Sequence, residues 1–280
     1  MIAAPPPAEK KSNFFLGFLL LPKPKREALS AVYAYCRLID DIVDTPEISK
    51  DEARRQLDFW REEIARLYQG APTHAVSRAL LKPIADFKIP QEPFLEMIRG
   101  CAMDLDATRY ETIADLESYM RGVASSVGIM CIYIFGWAHT TLPAMYEFAT
   151  TFGYAFQLTN IIRDVGADLE IGRVYLPLSE IRDCGYSVER LMLRDHGPAF
   201  DRLILGQYKR AKSYYARARN RVDFRDRPGL LPAEVMAHVY EGLLDEIKAG
   251  EFRVFFHQTK LPGWRKLSLA LKAWLYCHGL

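Results

Sequence analysis

The strongest limit on what this chain can fold into is helical periodicity that runs almost from end to end. Segments alternating with the period of a strand are nearly absent. Lys25 to Asp44 reads as one helix that opens after Pro22 and Pro24 and stops before Pro46. Residues 49–68 follow, with Leu57, Trp60, Ile64 and Leu67 on one face and a Ser49-Lys50-Asp51-Glu52 start suited to capping. The same pattern predicts helices over 74–87, 91–107, 112–120 continuing to 135, 141–168, 187–194, 198–222, 232–250 and 264–277. Gly70-Ala71-Pro72, Lys88-Ile89-Pro90 and the stretch from Gly172 to Pro177 read as breaks. With no fixed-period repeat and no linker-like stretch, the expectation is one all-α domain over residues 12–280. Residues 1–11, with Pro5-Pro6-Pro7, read as a disordered tail.

Two of these helices carry acids at helical spacing. Each residue turns about 100°, so Tyr33, Arg37, Asp40 and Asp44 share one stripe, with Asp41 at its shoulder. Carboxylates one turn apart repel, and acids at a helix C-terminal end also oppose the macrodipole. Farther along, Gln157, Asn160, Asp164 and Asp168 form a second polar stripe beside Arg163. Phe152, Tyr154, Ala155, Phe156, Leu158, Ile161 and Ile162 surround it. A polar stripe on so apolar a helix points to an internal cavity. Magnesium accounts for the pairing: it takes oxygen ligands, usually a few carboxylates together with substrate phosphate oxygens. Facing acid clusters suit a diphosphate and the charge that builds on it as it departs. Diphosphate loss from an allylic carbon leaves a carbocation, which needs a dry, apolar, aromatic-lined pocket. Phe14, Phe15, Phe18, Val123, Val127, Met130, Phe152 and Phe156 are the candidate lining.

Composition removes other classes. With 37 basic against 35 acidic residues there is no global electrostatic case for nucleic acid. The basic, tyrosine-bearing stretch Lys209 to Arg227 is expected to be a solvated helix face. The five cysteines form no C-x-x-C pair and the six histidines show no ligand spacing, which predicts reduced thiols and a cytoplasmic protein. The apolar runs Phe14 to Leu21 and Ile129 to Trp137 are too short to span a bilayer, and no signal peptide is expected. Trp264 to Leu280 mixes Lys266 and Lys272 with Leu267, Leu269, Leu271, Trp274 and Leu275. It could pack on its own domain or make peripheral contact with a membrane.

At these residues the chain resembles the squalene and phytoene synthase family, the head-to-head prenyl transferases. The resemblance is carried by Ser12-Asn13-Phe14-Phe15 through Leu20-Leu21-Pro22, by Tyr33 through Asp44, by Tyr119 to Gly128, and by Gln157 through Val165 onward to Gly172-Arg173-Val174-Tyr175-Leu176-Pro177. It implies the isoprenoid synthase fold, a helical bundle around a central cavity with two acidic motifs facing across its mouth. It also implies that Asp40, Asp44, Asp164 and Asp168, with Asn160 and Asp41 beside them, bind about two or three magnesium ions. Tyr33, Arg37, Arg163 and Tyr240 would contact diphosphate, and Tyr119 would steer the cation or help remove a proton. Phe14, Phe18, Val123, Gly128, Phe152, Phe156 and Gln157 would line the prenyl channels. The sequence departs from the family pattern at Asn13, where many members have serine. It departs again in Arg253 to Lys260, which lacks a clear late arginine, so Lys260 takes that place.

Within the family, local wording resembles bacterial enzymes of squalene and hopanoid synthesis that stop at presqualene diphosphate. That implies two farnesyl diphosphates as substrates, no NADPH, and downstream isoprenoid enzymes as candidate partners. Phytoene or dehydrosqualene synthesis, and full NADPH-dependent squalene synthesis, are the alternatives. A non-catalytic scaffold would be expected to lose acids from one cluster, and both are complete here. Terpene cyclases and chain-elongating transferases do not usually share the second motif's spacing.

Overall fold

A computed structural model describes residues 21–107 and 109–280. Helix α1, Lys23–Asp44, carries Pro24 in its first turn, where the missing N–H costs nothing. Helix α2, Lys50–Tyr68, is capped by Ser49, whose side chain accepts from the Glu52 N–H; acids follow in the first turn and Arg66 closes the last. Then come α3, Ala75–Phe87, and α4, Glu92–Asp106. Helix α5, Ile113–Met120, starts with a reciprocal Thr112–Asp115 capping box. It runs without interruption through a π turn, Arg121–Ser125, into α6, Ser126–Phe135.

The longest element is α7, Leu142–Glu170, which a left-handed Gly172 helps to end. Short helices α8, Leu178–Asp183, and α9, Val188–Met192, lead to α10, Pro198–Arg219. A 3-10 turn, Phe224–Leu230, precedes α11, Leu231–Ala249, and α12, Gly263–His278, follows it. Among the described residues there is no strand, only an isolated bridge between Arg109 and Val174. Periodicity did not reveal α8 or the 3-10 turn.

Helix α7 is the axis of the molecule. Helix α10 packs along it most extensively, and the π turn, α6, α11 and α5 also contact it. The run Ile113–Phe135 is, as one helix, long and apolar enough to cross a membrane by length and composition, and half of it is buried inside the fold. Its middle is squeezed between neighbours. A Cβ on Gly100 would lie 2.6 Å from Gly122 Cα, and one on Gly153 would lie 2.5 Å from Ser125 Cα. Glycine at these crossings lets backbones touch, and the π turn sits between the two contacts.

The Lys209–Arg227 stretch differs from the solvated face expected of it. Tyr215 is fully buried and shares a 3.1 Å hydrogen bond with Thr159, while Tyr214 donates to Glu117. Lys212 and Arg219 both pair with Glu241 on α11, and Arg219 also reaches buried Glu234. Lys212 and Arg219 thus hold α10 to α11.

Candidate active site

A cavity of about 570 Å³ lies between α1, α4, the α5–π–α6 run, α7 and α11. Its walls follow directly from helical spacing. On α1 the lining residues are Leu29, Val32, Tyr33, Cys36, Arg37 and Asp40; on α7 they run from Phe148 and Phe152 through Phe156, Gln157 and Asn160 to Arg163 and Asp164. Both stripes begin apolar and end acidic. The cavity therefore has a hydrocarbon end and a charged end, separated along α7 by sixteen residues, on the order of 24 Å. Val123, Ala124, Val127 and Gly128 enter from the π turn and α6, and Met236 and Tyr240 from α11.

The structure thus brings Tyr33, Arg37, Asp40, Tyr119, Val123, Gly128, Phe152, Phe156, Gln157, Asn160, Arg163, Asp164 and Tyr240 to one cavity. Asp41, Asp44 and Asp168 lie outside its immediate lining. Lys260 is exposed and also outside it; Gln258 of the same segment instead donates to Asp164 at 2.7 Å. Asn13, Phe14 and Phe18 fall outside the described residues.

Charge at the acidic end is only partly balanced. Arg37 bridges Asp40 at 3.3 Å and Asp41 at 2.7 Å, and Arg163 donates to Asp164 at 2.8 Å. Arg173, from the turn after α7, reaches back to Asp44 at 2.8 Å. Even so, burial and then Asp44 push Asp40 up to about 6, against Arg37. Burial and then Asp164 push Asp168 up to about 7, against Arg173. Asn160 Oδ1 is buried without a hydrogen-bond partner, an acceptor left waiting for a donor or a cation.

One further carboxylate of the site was not singled out from the sequence. Asp104, on α4, accepts from the hydroxyls of Tyr119 and Tyr175, each at 3.0 Å. Tyr110, Tyr119 and Tyr175 pack ring against ring around it, with centroids 5.1–5.9 Å apart. Burial holds Asp104 up at about 6, with Arg173 and the two phenols opposing. The signal was present: Met97 and Cys101 precede Asp104 on the same stripe of α4, which also runs from apolar to acidic. Arg173 was visible only as part of a longer matching segment.

A sequence model of the squalene/phytoene synthase family matches residues 8–265. The chain belongs to that family. It is 33% identical over 277 residues to a 15-cis-phytoene synthase of Synechocystis sp., covering 96% of this chain and 82% of the relative. A 15-cis-phytoene synthase of Synechococcus elongatus is 35% identical over 272 residues, covering 93% and 87%. Among solved structures, a dehydrosqualene synthase bound to ligand superposes with a TM-score of 0.84 at 29% identity, over 97% of this chain and 94% of that one. Squalene synthase HpnC from Alicyclobacillus acidocaldarius gives 0.78 at 26% identity, over 87% and 91%. The protein therefore has the all-helical isoprenoid synthase fold and is a prenyl transferase of the head-to-head class acting on prenyl diphosphates.

Family members are in general divalent-metal dependent, and the residues present fit such an ion. Every ligand atom at the acidic end is a hard oxygen, two carboxyls are pushed up by burial and then by a neighbouring carboxylate, and the Asn160 oxygen is orphaned. Among the described residues no three acidic, His or Cys side chains are gathered closely enough to hold a metal by themselves. A divalent ion there would have to complete its shell with substrate phosphate and water beside the carboxylates.

Proposed function

We propose that this prenyl transferase condenses two molecules of farnesyl diphosphate into presqualene diphosphate, releasing one diphosphate. The observation that carries the reading is the cavity graded from Leu29 and Phe148 at one end to Asp40 and Asp164 at the other. An apolar chain with a diphosphate head matches that gradient in one orientation only.

Asp40, Asp44, Asp164 and Asp168, with Asn160 and Asp41 beside them, would hold magnesium, which when bound neutralises the diphosphate and stabilises it as a leaving group. Arg37, Arg163 and Tyr240 converge on the same end and orient the diphosphate through charge-assisted hydrogen bonds. The C1 carbon of the first substrate is then attacked by the 2,3-double bond of the second. Proton loss closes the cyclopropane. Phe152, Phe156 and Val123 exclude water from the cation, and the aromatic faces favour positive charge. Tyr119 lines the same space with its hydroxyl held by Asp104, so its ring and oxygen are fixed in place while charge moves.

The local wording of Phe18 to Lys23 together with Gln157 to Val165 supports the farnesyl substrate and a reaction that needs no NADPH. The phytoene synthase relatives at 33–35% identity favour a second reading, geranylgeranyl diphosphate condensed toward phytoene. The deciding experiment is incubation of purified protein with magnesium and each prenyl diphosphate, without NADPH. Presqualene diphosphate from farnesyl diphosphate is the expected product, and chelation is expected to abolish it until magnesium is restored. Turnover of geranylgeranyl diphosphate alone would overturn the farnesyl assignment. Asp40→Ala and Asp164→Ala should each remove turnover with helical content unchanged; wild-type rates in either would overturn the two-cluster site.

A further inference from the structure

We infer that α12 is a docking element for an anionic lipid surface. From Phe252 to Leu280 the chain carries five Lys or Arg and no Asp or Glu, although the whole protein is nearly charge-balanced. Within that segment α12 divides into two faces. Ala273 and Cys277 are buried, and Leu269 packs into the space left by Gly242 on α11. On the opposite face Trp264, Leu267, Leu271 and Trp274 recur at offsets of zero, three, seven and ten. They are 73%, 70%, 58% and 42% exposed. Four large apolar side chains in one row are unlike the scattered exposed hydrophobics of an ordinary surface.

The flanking chemistry selects the occupant. Lys272 is exposed beside the row, and exposed Lys260 lies just before the helix. Arg253 and Arg265 are paired, with Glu251 and Glu246 respectively, yet no acid within the segment opposes an anionic partner. A helix lying in a bilayer interface needs an apolar row, flanking basic residues, and tryptophans that sit at headgroup depth. α12 has all three. Its buried face rests on α11, whose Pro232, Ala233, Met236 and Tyr240 form one wall of the cavity. Docking would therefore hold the cavity close to a bilayer, into which the apolar chain of a prenyl diphosphate partitions.

The experiment is co-sedimentation of the full chain with vesicles of phosphatidylcholine containing about one-third phosphatidylglycerol, against pure phosphatidylcholine vesicles. The protein should bind the anionic vesicles more strongly, with a tryptophan blue shift. Leu267→Glu with Leu271→Glu should lower binding about tenfold or more. Lys272→Glu should weaken binding to anionic vesicles and leave the weak binding to neutral ones unchanged. None of these side chains lines the cavity, so turnover without vesicles should stay at the wild-type level whichever prenyl diphosphate is the substrate. Equal binding by wild type and the double variant would overturn the assignment. So would a row that buries itself in a second copy, seen as a dimer that the double variant dissociates while neither form binds vesicles.

Discussion

Asp40, Asp104 and Asp168 are held at about 6, about 6 and about 7, each above the ordinary aspartate value. A carboxyl raised in the fold binds its proton more tightly there than in the unfolded chain. The contribution of these three groups to stability in the absence of metal is therefore greater at lower pH and declines as pH rises through these folded values. Metal binding needs the ionised forms, so protons compete with the ion as pH falls below about 7. Asp168→Asn should then stabilise the metal-free protein at neutral pH by about 1 kcal/mol, roughly 2–4 °C in Tm, because solvent screens part of the repulsion. The same substitution should abolish turnover. Calorimetry and product assay on one preparation check both halves. Asp104→Asn tests the positioning of Tyr119: kcat should fall about tenfold to a hundredfold with KM little changed, as measured by steady-state kinetics.

Two helix-scale features carry the architecture. At the crossing of α4 with the π turn, a Cβ on Gly122 would lie 2.4 Å from Gly100 Cα. No side-chain rotation relieves a backbone clash. Gly122→Ala should therefore cost about 2–4 kcal/mol, read as a shift in denaturant midpoint, and should displace Tyr119 and Val123 on either side. The turn from α2 to α3 depends on Glu63, which is fully buried. It accepts from the Thr73 and His74 N–H groups at 2.6 and 2.7 Å, from the Thr73 and Ser77 hydroxyls, and from Arg66 at 2.9 Å. Burial opposes its charge, but these donors, led by the His74 N–H, outweigh it and hold the carboxyl well below the usual range. Its contribution is present above the ordinary glutamate pKa and lost only in strong acid. Glu63→Ala leaves those donors unsatisfied and should cost about 2–4 kcal/mol with the catalytic rate of folded enzyme unchanged.

At the scale of the molecule, one axial helix serves the whole site. Helix α7 presents Phe148 to the apolar end and Asp164 to the charged end, so the substrate's two chemistries are met along one rigid element. Lengthening the apolar end should change which chain fits. Phe148→Ala opens space beside Phe152, with ring centroids now 4.6 Å apart, and should raise the ratio of geranylgeranyl to farnesyl turnover. Competition between the two substrates measures that ratio. An unchanged ratio would mean that the chain's end lies elsewhere in the cavity.

Spacing alone determined that the chain is all helix, that Tyr33, Arg37 and Asp40 share a face, and that Gln157, Asn160 and Asp164 share another, because side-chain direction on a helix follows sequence offset. Helix ends were legible for the same local reason: Pro24, Ser49 and Gly172 act on their own turn of chain. Asp104 was legible only as the acidic end of its own stripe, and Arg173 and Gln258 were not legible as site residues. Each matters through a partner distant in sequence, Tyr175, Asp44 and Asp164 respectively, and no offset within one helix encodes such a meeting. The π turn was equally hidden, since its extra residue reflects pressure from Gly100 and Gly153 on neighbouring helices. Which face of α12 is exposed also waited on packing: its leucines and tryptophans lie on both sides, and Gly242 admits Leu269 alone among them to the space it leaves.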